Sequence, residues 1–84
     1  MKTESAKEMF EELGYKQTLN NNEWISYYDK YSEELIKFNK LDYTTDIDGK
    51  IEITISIAKA IDKQWKELRW LDENWNLKTR PKNA

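Results

Sequence analysis

Neither cysteine nor histidine occurs among the 84 residues. The first absence rules out a disulfide staple and a thiolate nucleophile. The second removes the usual general base, and the two together strip triads, zinc sites and haem ligation of their customary residues. Proline appears once, as Pro81, and glycine twice, as Gly14 and Gly49. No apolar run approaches the roughly 20 residues of a membrane span, and the N-terminus has no signal-peptide core. Only carboxylates, Lys, Tyr and Ser are left to carry chemistry. The expectation is therefore a protein that is not an enzyme, binds no metal, uses no cofactor and meets no membrane.

What is present describes one small domain. A chain of this length buries only about 60% of its unfolded surface, so the core must be thin. The net charge is −2 but unevenly spread: residues 17–58 carry −4 and residues 59–84 carry +3. The acidic middle disfavours nucleic acid as a partner. The basic end is in the first instance a solvated helix face followed by a tail.

Ser5 and Glu8 form a capping-box pattern, and Ala6, Met9, Phe10 and Leu13 follow as one apolar stripe, so a helix is expected over residues 5–13. Gly14 stands where its C-terminus needs positive φ. Strands are expected over residues 15–19 and 24–31, separated by Asn20, Asn21 and Asn22, a turn signal. A further strand is expected over residues 34–45 after a turn at Ser32 and Glu33. It places Ile36 and Phe38 on one face and Leu35, Lys37 and Asn39 on the other. Asp46-Ile47-Asp48-Gly49 reads as a hairpin tip. Beyond it lies the stretch around which the chain is organised. Ile51, Ile53 and Ile55 alternate as a strand, and then Ile57, Ile61, Gln64, Trp65, Leu68 and Leu71 recur at helical spacing. A helix over residues 57–71, capped by Ser56, is expected.

The fold class is thus α+β: a helix, a three- or four-stranded antiparallel meander and a second helix, with both helices on one face of the sheet. Ile25, Ile36, Phe38, Ile53, Ile61 and Leu68 are the expected core. Residues 1–75 form the domain and residues 76–84 a flexible basic tail.

Two segments carry a resemblance. Glu8-Met9-Phe10-Glu11-Glu12-Leu13-Gly14-Tyr15 stands near the start. Lys59-Ala60-Ile61-Asp62-Lys63-Gln64, followed by Lys66-Glu67-Leu68-Arg69-Trp70, stands near the end. The pair resembles a group of small proteins encoded by phages and prophages of low-GC Gram-positive bacteria. Those read E-M-F-E-E-L-G-Y at the front and A-I-N-K-Q, then E-L-G-W, at the back. Three departures stand out. Arg69 replaces the glycine before Trp70, Trp65 replaces a smaller apolar residue, and about fourteen residues follow Trp70. Loss of that glycine predicts a second helix that runs further. The resemblance implies a phage origin and a bacterial cytoplasm, and it brings no catalytic residues.

Two acid pairs, Glu33-Glu34 and Asp46/Asp48, sit in expected turns and read as solvated structural residues. Aligning Gly49 with the sixth position of a calcium loop puts Thr44 first and Ile55 twelfth, where carboxylates are needed, so calcium is excluded. The four Trp and five Tyr are more telling. Trp24 and Tyr28 share one face of their strand, while Ile25, Tyr27 and Tyr31 lie toward the other. Helices on one side would leave Trp24, Tyr28, Leu35 and Tyr43 on the open side as a contact surface, unless the tail or a Lys stem covers them. Lys37 and Arg69, with Lys50, are the cations available beside it.

The expected function is a non-enzymatic phage accessory protein that binds a host protein, most concretely as a counter-defence inhibitor of bacterial immunity. A second copy of the chain is a further candidate partner. The alternatives are a nucleotide-signal binder, whose bases would stack on the aromatic face, and a nucleic-acid-associated phage protein.

Overall fold

The computed structural model describes residues 4–49 and 52–71. Helix α1 (Ala6–Glu12) is followed by strands β1 (Lys16–Asn20), β2 (Trp24–Asp29), β3 (Glu34–Asn39) and β4 (Thr44–Asp48), and then by helix α2 (Ile55–Glu67). The strands form one antiparallel sheet in the order β1-β2-β3-β4. This is the expected α+β meander between two helices. Among the described residues no helix is long and apolar enough to cross a membrane.

Alternation decides which side of the sheet is buried. Ile25 lies opposite Phe38 and Tyr27 opposite Ile36, and all four side chains are buried. Phe10 of α1 stacks on Tyr27 with ring centroids 4.2 Å apart. Ile57, Ala60 and Ile61 of α2 join the same cluster. Both helices therefore cover one face. Gln64 on this side and Ser26 on the other are the buried polar residues among those described; Gln64 Oε1 accepts from the Tyr27 hydroxyl, which in turn accepts from Gln17 Nε2 at 3.3 Å. A buried amide held this way escapes the roughly 1–3 kcal/mol penalty of an unpaired polar group.

α1 starts as its sequence indicates. The Ser5 hydroxyl accepts from the Glu8 N–H at 3.1 Å, and the Glu8 carboxylate accepts from the Ser5 N–H at 2.9 Å. The next free donor, the Ala6 N–H, reaches Glu67 Oε2 on α2 at 2.8 Å. The beginning of one helix is thus tied to the end of the other.

Several expectations are corrected. The strand expected over residues 34–45 is two strands, because the chain reverses at residues 40–43. Asn39 Oδ1 accepts from the Leu41 and Asp42 N–H groups, and Tyr43 leaves the turn at φ +56°. Asp46, Ile47 and Asp48 therefore belong to β4, and only Gly49 (φ +111°) follows it. Residues 52–54 are not a strand, and the start of the last strand expected from sequence, at Ile51, lies outside the described residues. α2 begins at Ile55 with Thr54, not Ser56, as its cap: Thr54 Oγ1 accepts from the Ile57 N–H at 3.1 Å. Ile53 and Ile55 flank that cap instead of lining one strand face, and Ile53 is 51% exposed, so it is not core. Leu68 is half-buried and packs against the cluster. The second helix also stops early, at Glu67, with Arg69 at φ +64°. The tail over residues 76–84 lies outside the described residues.

Candidate functional site

The sheet face away from the helices is built by the alternate residues of three strands. Trp24, Ser26 and Tyr28 of β2 stand opposite Asn39, Lys37 and Leu35 of β3, with no shift in register. Beyond β3, Thr44, Asp46 and Asp48 of β4 face the same three residues of β3. On the other flank Lys16 lies opposite Tyr28. The β1–β2 ladder slips between Gln17 and Leu19, a bulge that leaves Thr18 as the extra residue. Its hydroxyl shares a 2.8 Å hydrogen bond with Ser26. Charge therefore changes sign across the face, from Lys16 on β1 to Asp46 and Asp48 on β4.

Of the residues singled out from sequence, Trp24, Tyr28, Leu35 and Lys37 are brought together here, each half-buried. Lys37 Nζ lies 5.3 Å from the centroid of the Trp24 ring. That cation–π contact holds the ammonium over an aromatic face. Tyr43 does not belong with them. Its ring stacks on Trp70, 5.1 Å away and nearly parallel, and it packs against the helix-side core. The turn at residues 40–43 broke the alternation that had put Tyr43 on the open face. Arg69 is also elsewhere, exposed at the end of α2 on the helix side of the sheet. Tyr31 is 88% exposed just beyond β2, with Lys30 Nζ 5.4 Å from its ring centroid.

Two residues that sequence reasoning passed over, Lys16 and Lys30, complete the face, together with Tyr31, which alternation had placed on the other side but which lies beyond the end of β2. Lys16, Lys30 and Tyr31, with Gly14, Thr18 and Tyr28, surround an open hollow of about 370 Å³. The cations nearest the aromatics, apart from Lys37, are thus Lys16 and Lys30. Once β1 is placed beside β2, the i and i+2 spacing of Lys16 and Thr18 in β1 is the signal that would have found them.

The two phenols with displaced ionisation lie on the opposite, buried side. Burial, then the Glu34 carboxylate that accepts from its hydroxyl at 3.1 Å, pushes Tyr15 up to about 12. Burial also raises Tyr27, against the Gln17 donor, which lowers it. An upward shift keeps both phenols protonated near neutral pH, the wrong direction for a base or nucleophile. Among the described residues no group of three or more Asp and Glu side chains is placed to hold a metal ion. The arrangement suits contact: two aromatic rings and Leu35 among hydroxyls, amides and charges of both signs. Comparison with protein-family models, with curated proteins and with solved structures finds no match to this chain.

Proposed function

We propose that this protein is a non-enzymatic binding module that takes a protein partner on its open sheet face. The observation that carries the reading is the placement of Trp24 and Tyr28, two half-buried aromatics on a face that no described element covers. Such residues are the commonest anchors of protein contacts, and a polar surround of the kind supplied by Asn39, Thr44 and Asp46 is typical of a rim. The resemblance to small phage proteins supports a host component as the partner, with counter-defence in a bacterial cytoplasm as the specific role. A test compares phage growth with and without the gene, and with the Trp24→Ser/Tyr28→Ser variant. Truncating a true anchor costs upwards of about 2 kcal/mol, roughly thirtyfold in affinity. The variant should keep the wild-type circular dichroism spectrum and lose the growth phenotype. A folded variant that supports growth like wild type would refute the reading.

One observation favours a second reading. The hollow beside Tyr28 carries Lys16 and Lys30 for a phosphate and Tyr28 and Tyr31 for a base, and its volume is in the range of small-ligand sites. Titrating the protein with a nucleoside diphosphate and with a cyclic dinucleotide, read by intrinsic fluorescence, tests this. Saturable binding lost in Lys16→Ala would favour the nucleotide over the protein partner.

A further inference from the structure

The open face has an order across its strands that no single strand shows. One row runs Lys16, Tyr28, Leu35, Asp48, each residue opposite the next. The neighbouring row runs Thr18, Ser26, Lys37, Asp46, with Thr18 joined to Ser26 by their shared hydrogen bond. A cation or a hydroxyl thus stands at the β1 end of each row, and a carboxylate at the β4 end. Lys16 and Asp48 are both exposed, and neither has an ion-pair partner among the described residues. Between them Tyr28 and Leu35 are half-buried.

Such a row is complementary to its own reverse. Sheets packed face to face lie about 10 Å apart with their strands within about 30° of each other. Two copies can meet in this way about a twofold axis in either of two directions. An axis across the strands sets β4 on β4, so Asp46 would face Asp46 and the carboxylates would repel. An axis along the strands, between β2 and β3, sets β1 on β4 and β2 on β3. It brings Lys16 against Asp48 of the second copy at both ends of the row and Tyr28 against Leu35 between them. In the neighbouring row it brings the Thr18 hydroxyl against the Asp46 carboxylate. Charge therefore selects the second axis. The area sets the strength: four strands of five or six residues present a face of roughly 300–400 Å², about half of the 800 Å² that each partner gives to a stable interface. The pairing is weak and reversible.

We propose that two copies of this protein pair through their open faces about a twofold axis along the strands, with Lys16 of each against Asp48 of the other and Tyr28 against Leu35. The inference rests on the reading of that face as a contact surface, and names its occupant when no other partner is present. A partner that buries more area displaces the second copy by mass action, so Trp24 and Tyr28 stay covered until it arrives.

Sedimentation of the full chain tests it. The wild type should pass from monomer to dimer below about 1 mM, and a monomer throughout would overturn the proposal. Lys16→Asp and Asp48→Lys should each weaken self-association by about tenfold or more, because both end pairs then repel. Mixed in equal amounts, the two variants should associate with each other as the wild type does, since opposite signs meet again at both ends. Self-association that ignores the reversals, or a mixture that stays monomeric, would overturn the arrangement. Salt gives a check that needs no variant. Raising it from about 0.05 to 0.5 M should weaken the wild-type dimer, and a dimer that salt leaves unchanged would count against the pairing. The phage-growth test answers separately. A phenotype lost in the Trp24→Ser/Tyr28→Ser variant beside a monomeric wild type would sink the dimer and keep the host partner. A dimer that responds to charge reversal, beside an unaffected phenotype, would keep the dimer and sink the host partner.

Discussion

The two helices end in the same way on different residues. α1 closes at Glu12-Leu13-Gly14-Tyr15 and α2 at Glu67-Leu68-Arg69-Trp70. In each, the N–H of the third residue bonds back to a carbonyl three earlier, Gly14 to Glu11 at 3.1 Å and Arg69 to Lys66 at 3.0 Å. The N–H of the fourth bonds back five, Tyr15 to Phe10 and Trp70 to Trp65, both at 2.9 Å. These are the paired bonds of the Schellman motif. In both, the aromatic that follows turns into the core: Tyr15 is T-shaped to Phe10 at 6.0 Å, and Trp70 lies 6.3 Å from Phe38. The residue in between differs in its dihedral. Gly14 sits at φ +97°, beyond the left-handed basin open to L-residues, whereas Arg69 at +64° lies inside it. Glycine is therefore required at the first end and dispensable at the second. What stops α2 is the burial of Trp70, which outweighs the strain at Arg69.

Removing the aromatic anchor is the strongest way to break that parallel. Trp70 is 5% exposed, and Trp70→Ala should cost about 3–5 kcal/mol, a large share of a small domain's stability. Chemical denaturation would show it as a lowered midpoint, and an unchanged midpoint would remove burial of Trp70 as the stop. Next in size is the glycine. A Cβ at Gly14 would stand 3.4 Å from Asp29 Oδ2, an ordinary contact, so the obstacle is backbone conformation. Gly14→Arg should lose about 1–2 kcal/mol. The reverse exchange, Arg69→Gly, should gain about 0.5–1 kcal/mol, since relief of left-handed strain exceeds the extra chain entropy of glycine. If the two exchanges shift the melting temperature in the same direction, the two ends are not equivalent.

The smallest effect at ordinary pH distinguishes the two aromatics. Tyr15 ionises near 12 when folded, against 10 for an ordinary phenol. Its neutral form is favoured by folding, so this stabilisation is whole below pH 10 and is lost as pH rises through 12. Alkaline unfolding of wild type and Tyr15→Phe, compared from pH 8 to 12, should converge across that window, whereas Trp70 contributes no such dependence. Parallel curves would show that the Tyr15 hydroxyl has no part in it.

The sequence declared α1 fully, because capping residues, apolar stripe and stop signal all act within a few positions. It declared the inward faces of β2 and β3 as well, since Ile25, Tyr27, Ile36 and Phe38 obey strict alternation. The boundary between β3 and β4 was hidden because the turn at residues 40–43 contains neither glycine nor proline. Its signal was Asn39, whose side chain replaces the backbone acceptor. Asn21 Oδ1 takes the Glu23 and Trp24 N–H groups, and Asp29 Oδ1 takes that of Tyr31, in the same manner. One Asn or Asp side chain thus opens each of the three hairpin turns. Missing the third moved Tyr43 to the wrong face of the candidate site. Trp24, Tyr28, Leu35 and Lys37 were legible together because they depend only on the parity of β2 and β3. Lys16 and Lys30 were not, since they depend on which strands are neighbours.

The bond from the Ala6 N–H to Glu67 Oε2 has a topological consequence. It joins residues 61 positions apart, so a single hydrogen bond closes nearly the whole described chain into a ring, on the side of the sheet opposite Trp24 and Tyr28. Fraying the start of α1 therefore releases the end of α2, and the two helix ends should open together as one unit.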